Sequence, residues 1–243
     1  MGEQLRERSR RDYLHMLLLP SLLRDVQLVL RAYHRELCTV TARATEPALA
    51  EVRLQWWADG LRGEREGELA SHPIGSALLL YLDEHAYARE PLAAKAEAHS
   101  AELYADAFPD ANEFEGYCGE TRSILTQLLL AAEHGPGGPG DASGHHGVVE
   151  TVTERIAASP ILAARGLEIA PPGVNGFAAY GLKHVEKARA AGAIGSIFAP
   201  LNVFEFVLRR AQADPDGARG SGVAIGQLRE QWLLWRGRST RQR

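Results

Sequence analysis

The sequence predicts an all-α protein, a single domain of roughly nine to eleven helices packed as a bundle. Three observations carry that reading. Apolar residues recur at three- and four-residue intervals along most of the chain, and no convincing period-two stretch appears. Proline and glycine fall mostly between these periodic segments. The chain has 243 residues and is 45% hydrophobic, enough to bury one substantial core.

The elements follow in order. Leu23, Val26, Leu30, Tyr33 and Leu37 set one face of a long helix from Leu22 to about Arg43, punctuated at its start by Pro20 and Ser21. A second helix begins around Glu46, with Pro47 where a missing N–H costs nothing, and runs through Trp57 to a stop near Gly60 to Gly63. Helices are expected over Ser76 to Ala86 after Pro73, and over Leu92 to Ala107 after Pro91. Another is expected over Ala111 to Glu133. Residues 135–144 read as a flexible Gly/Pro loop within the domain, because Gly135-Pro136-Gly137-Gly138-Pro139-Gly140 cannot nucleate a helix. Helices resume over Gly147 to Ser159, Ile161 to Gly166, Gly176 to Ala191, Ile194 to Ala213 and Ile225 to Arg236. Pro200 should kink the penultimate one. Residues 237–243 read as a solvated basic tail.

Bulk composition excludes several classes. No apolar run approaches the length of a membrane span. The charged opening segment, with Glu3, Glu7 and Asp12, resembles neither a secretory signal nor a transit peptide. Cys38 and Cys118 are the only thiols and read as reduced, which predicts a cytoplasmic protein without a disulfide framework. A net charge of −4 gives no field to recruit nucleic acid. Arginine outnumbers lysine heavily, and with the alanine and glycine content this predicts a GC-rich bacterial source.

Motifs for common chemistries are missing. His145, His146 and Glu150 lack a third histidine nearby for a zinc face. Gly137 to Gly140 precedes no Gly-Lys-Ser/Thr, and Ser123 has no Gly-x-Ser-x-Gly setting. Trp56 and Trp57 read first as packing residues.

An ordered set of phrases remains. Arg11-Asp12-Tyr13-Leu14 with Leu19-Pro20 and Arg24 comes first, and Tyr33 sits on the long helix. Glu51-Val52-Arg53-Leu54-Gln55-Trp56-Trp57 follows, then Tyr117-Cys118-Gly119-Glu120-Thr121 and Ala164-Arg165-Gly166 ahead of Pro171. Gln231-Trp232-Leu233-Leu234-Trp235-Arg236 closes the set. Together they resemble the squalene/phytoene synthase family, which implies a bundle of the trans-isoprenyl diphosphate synthase (terpenoid synthase) type. Active members carry Asp-Asp-x-x-Asp where this chain reads Cys38-Thr39-Val40-Thr41-Ala42. The slots of the second motif, Asp-x-x-x-Asp, fall near Ala158 and Leu162. Carboxylates four apart on facing helices hold the Mg²⁺ ions that stabilise a departing diphosphate, and neither Cys38, Thr39, Ala42 nor the second pair can do so.

The resemblance therefore implies a catalytically silent member with no cofactor, akin to the branch needed for respiratory complex I assembly. Its partner would be a membrane-associated protein complex, or an apolar isoprenoid or lipid held in the emptied cavity. Its place would be the cytoplasm or the periphery of the inner membrane. Arg24, Tyr33, Arg35, Arg53 and Trp57 would line the ligand or phosphate approach. The alternative is an active, Mg²⁺-dependent prenyl transferase acting on allylic diphosphates.

Overall fold

Helix follows helix throughout the computed structural model, which describes residues 1–104, 108–138 and 140–238, and no strand occurs among them. The chain divides into two compact units: Met1–Ala107 with Leu128–Pro136, and Phe108–Gln127 with Gly137–Arg243.

The first unit contains α1 (Gly2–Arg8), α2 (Arg10–Leu18), α3 (Ser21–Ala42), α4 (Pro47–Arg62), α5 (Glu66–Ala70), α6 (Pro73–Glu84) and α7 (Arg89–Ala98), followed by a 3-10 turn, His99–Leu103. The predicted stripe of α3 is real: Leu23, Leu30, Tyr33 and Leu37 are buried, while Leu22 and Arg24 face solvent. Pro47 opens α4 at its first turn, and Trp57 lies on the buried face of that helix. The Tyr33 and Trp57 rings meet at 5.2 Å, and the Tyr33 hydroxyl donates to the Leu92 carbonyl of α7 at 2.9 Å. His72 packs edge-on to Trp57 at 4.8 Å, and its Nδ1 accepts from the Ile74 and Gly75 amides that open α6.

Two helices at the start of the chain were not expected, because their charged sequence carries little apolar periodicity. Ser9 separates them and caps α2 by accepting from the Asp12 amide. α2 then docks on α3 through a charge cluster. Asp12, buried, takes Arg35 Nε at 2.8 Å and Arg35 Nη2 at 2.7 Å, with Arg31 Nε at 3.8 Å. Burial pushes the Asp12 carboxyl up, but Arg35, Arg31 and the Ser9 bond outweigh it and hold the group well below the ordinary carboxylate range.

The second unit contains α8 (Ala111–Cys118), a π-helical turn at Gly119–Ser123, the start of α9 (Ile124–His134), α10 (Gly140–Ala157), α11 (Ser159–Ala164), α12 (Phe177–Ala190), α13 (Pro200–Ala213), α14 (Pro215–Ser221) and α15 (Gln227–Arg238). α9 ends in the first unit. The expected loop over 135–144 is corrected here: α10 already begins at Gly140, and Pro139 lies outside the described residues. Packing overrides the poor helix propensity of that stretch. A Cβ on Gly147 would sit 2.1 Å from Ser123 Oγ and 2.5 Å from its amide nitrogen, so glycine there lets α10 touch the π turn backbone. Ser123 Oγ donates across that contact to the Gly144 carbonyl at 3.1 Å.

Other boundaries also move. The helix expected over Leu92 to Ala107 starts earlier, at Arg89, and gives way to the 3-10 turn after Ala98; residues 105–107 lie outside the described part. Pro200 does not kink a longer helix but opens α13, after a 3-10 turn at Ser196–Phe198. The basic tail is shorter than read, since Gly237 and Arg238 belong to α15; residues 239–243 lie outside the described part.

Two outcomes follow from this packing. Trp57→Ala should lower unfolding free energy by about 3–5 kcal/mol in chemical denaturation, the usual loss for a large ring removed from a core. Asp12→Asn should cost about 3–5 kcal/mol, because it breaks a buried ion pair. Its pH signature has a definite sign. The folded state holds the Asp12 proton less tightly than the unfolded chain. The stability it contributes is therefore complete above about pH 4 and is lost as the pH falls. The variant should show a flatter acid limb than the parent in melts taken from pH 6 downward.

Candidate functional site

A buried polar cluster joins α3, α7 and the 3-10 turn in the first unit. His34 and Cys38 lie one turn apart on α3, Lys95 and His99 one turn apart on α7 and its extension, and Glu102 closes the group. His34, Lys95 and His99 are all fully buried. Lys95 Nζ lies 3.2 Å from His34 Nδ1 and 3.2 Å from His99 Nε2. His99 Nδ1 lies 3.1 Å from Glu102 Oε1, and Thr41 Oγ1 donates to Glu102 Oε2 at 2.6 Å. With Lys95 protonated, the contacts are met by an ammonium that donates to both imidazoles and a His99 that donates from Nδ1 to Glu102. Cys38 Sγ sits 3.7 Å from His34 Nε2.

The sequence expectation puts the Asp-Asp-x-x-Asp slot at Cys38 to Ala42 of this cluster's α3. Its donors do not fit Mg²⁺, which takes oxygen ligands in near-octahedral geometry. His34, Cys38 and His99 bring their ligand atoms within 4.8 Å of one another, a nitrogen and sulfur set suited to softer ions. The ammonium of Lys95 already bonds two of those three side chains.

The sequence-predicted positions fall as follows. Tyr33 and Trp57 are brought together in the core. Arg35 is committed to Asp12, while exposed Arg24 donates its Nε to the Leu19 carbonyl at 3.1 Å. Arg53 is exposed on α4. Thr39 returns its hydroxyl to the Arg35 carbonyl of its own helix at 2.7 Å, and Ala42 is exposed at the end of α3. Ala158 caps α11, and its carbonyl accepts the Leu162 amide at 2.9 Å. Lys95, His99 and Glu102 were not anticipated. Their four- and three-residue spacing was the available signal.

In the second unit α10 presents Glu150, buried, and Glu154, half-buried, one turn apart. This Glu-x-x-x-Glu has the spacing of the second acidic motif, eight positions before Ala158 and Leu162. Arg122 of the π turn gives Glu154 Oε2 its Nε at 3.2 Å and its Nη2 at 3.1 Å, and gives Tyr117 Oη its Nη1 at 2.8 Å. Burial pushes the neighbouring Cys118 thiol up to about 12, which keeps it protonated and inert. Elsewhere in the unit Tyr180 donates to Glu115 at 2.6 Å. Burial moves His184 down to about 4, so that ring is neutral near pH 7. A separate cleft of about 380 Å³ has Ile156, Val174 and Phe177 in its lining, together with the polar Asn175 and Gln212 and the charged Glu168 and Arg219.

Residues 5–166 match the family model for squalene/phytoene synthase. The complex I assembly factor 6 of NADH dehydrogenase (ubiquinone) from human and from cattle is each 25% identical to the chain over 171 residues. That alignment covers 67% of this chain and 49% of each relative, so the chain spans about half the length of the curated relatives it matches. The helical fold, the matched span and the ordered phrases agree, and the chain belongs to the squalene/phytoene synthase family, with the all-α terpenoid synthase type of fold.

Proposed function

We propose that this chain is a squalene/phytoene synthase-family protein without prenyl-transfer activity, acting as an assembly or binding factor in the manner of respiratory complex I assembly. The observation that carries the reading is the α3 cluster. Where a diphosphate–Mg²⁺ assembly needs carboxylate oxygens, this helix offers His34 and Cys38, bonded into a network around the buried Lys95 amine. Ionisation of an allylic diphosphate depends on cations that neutralise the leaving group, and one fixed ammonium is a poor replacement for a metal cluster. The similarity to two proteins named as complex I assembly factors supports the choice of role. No helix of the described residues is long and apolar enough to cross a membrane. In this reading the chain meets a membrane-bound complex from the cytoplasmic side or at the periphery of the inner membrane.

One observation favours the prenyl-transferase alternative. Glu150 and Glu154 stand four apart on α10, two turns ahead of the expected slots at Ala158 and Leu162, and supply carboxylates with the spacing of an acidic motif. The cleft in the second unit would serve a third role, as a carrier of an isoprenoid or lipid.

The readings separate in one set of measurements. Purified protein incubated with farnesyl or geranylgeranyl diphosphate and Mg²⁺ should release no pyrophosphate above a protein-free blank. Calorimetric titration should show no saturable heat at millimolar Mg²⁺. Deletion in the source organism should lower NADH:quinone oxidoreductase activity of isolated membranes. Clear turnover establishes the transferase instead, and unchanged oxidoreductase activity in the deletion removes the assembly role.

A further inference from the structure

α15 is apolar on two faces, and only one of them is packed. Leu234 and Gly237 lie on the buried face. A Cβ on Gly237 would come within 2.7 Å of the Ala199 Cα and carbonyl oxygen, so glycine lets the helix seat directly on the start of α13. Asn202 adds a bond to the Leu233 carbonyl at 3.4 Å. Roughly opposite, at four- and three-residue spacing, stand Leu228, Trp232 and Trp235. They are 82%, 51% and 55% exposed. A single exposed leucine means little, but two indoles and a leucine in one stripe form a patch that a free aqueous surface does not favour.

The exposed charges of α15 itself have one sign. The Arg236 guanidinium lies over the Trp232 ring at 5.2 Å, Arg229 lies over Phe206 at 5.2 Å, and Arg238 ends the helix. The lone acid of α15, Glu230, is buried on the packed side. An indole stripe flanked on its own helix by arginines matches the headgroup level of an anionic bilayer. There indoles settle at the apolar–polar boundary, and each arginine meets lipid phosphate.

We propose that α15 is an interfacial helix that docks the second unit on anionic phospholipid through Leu228, Trp232 and Trp235, with Arg229, Arg236 and Arg238 as its charge contacts. The inference deepens the assembly-factor reading and rests on it for its biological setting. Vesicle binding and oxidoreductase activity are separate readouts, so either can fail without the other.

The test uses the full chain with vesicles of phosphatidylcholine alone or mixed with phosphatidylglycerol. The protein should sediment with the mixed vesicles at low salt, stay free of the neutral ones, and be released as salt rises. Brominated acyl chains should quench its tryptophan fluorescence. That quenching should vanish in Trp232→Phe/Trp235→Phe, which retains only Trp56 and Trp57. Trp232→Ser/Trp235→Ser should weaken vesicle binding by about tenfold or more at an unchanged melting temperature. Should that pair destabilise the fold, Arg236→Glu, an exposed position, should give a similar loss. The proposal is overturned if the parent ignores anionic vesicles, or if both variants bind like the parent. It is equally overturned if the stripe is found covered by a second copy or another protein while lipid stays unquenched.

Discussion

The first unit is organised around the phenol of Tyr33. Its ring lies on Trp57 of α4, and its hydroxyl reaches a backbone carbonyl of α7, so one side chain ties three helices at a fully buried point. A hydroxyl without a partner at that depth would carry a desolvation cost of a few kcal/mol. The bond therefore fixes the axial position of α7 against α3 as well as its distance. The consequence reaches the polar cluster. Lys95 stands three residues beyond Leu92 on α7, and one turn of slippage would carry its ammonium away from His34.

Buried charge in this unit is met by named partners. Asp12 is matched by Arg31 and Arg35, and Lys95 is shared by two imidazoles, one of which leans on Glu102. Buried ions of this kind contribute specificity of arrangement more dependably than net stability, since desolvation consumes much of the attraction. They allow one register of α2, α3 and α7 and penalise others.

The helical class and the α3–α4 pair were legible because apolar spacing is a local property of the chain. Tyr33 and Trp57 could be assigned to the core from that spacing alone. The start of α10 could not. Gly140 to Gly147 has the composition of a loop, and it becomes helix because Gly147 lies against the backbone of a π turn distant in sequence. The π turn itself has no period that a helical reading detects. Among candidate site residues, the missing acids of positions 38–42 were visible, but the Lys95–His99 pair was not. A lysine and a histidine four apart usually denote a wetted face, and only the fold shows that this one is dry.

The Lys95 side chain sets a condition on building a cation site in this unit. A carboxylate introduced at position 38 would stand one turn from His34, in a cluster whose two imidazoles already share one amine. A protonated amine would pair with the new carboxylate and compete with any metal for its oxygens. Design of a metal centre on α3 therefore starts at Lys95 rather than at Cys38.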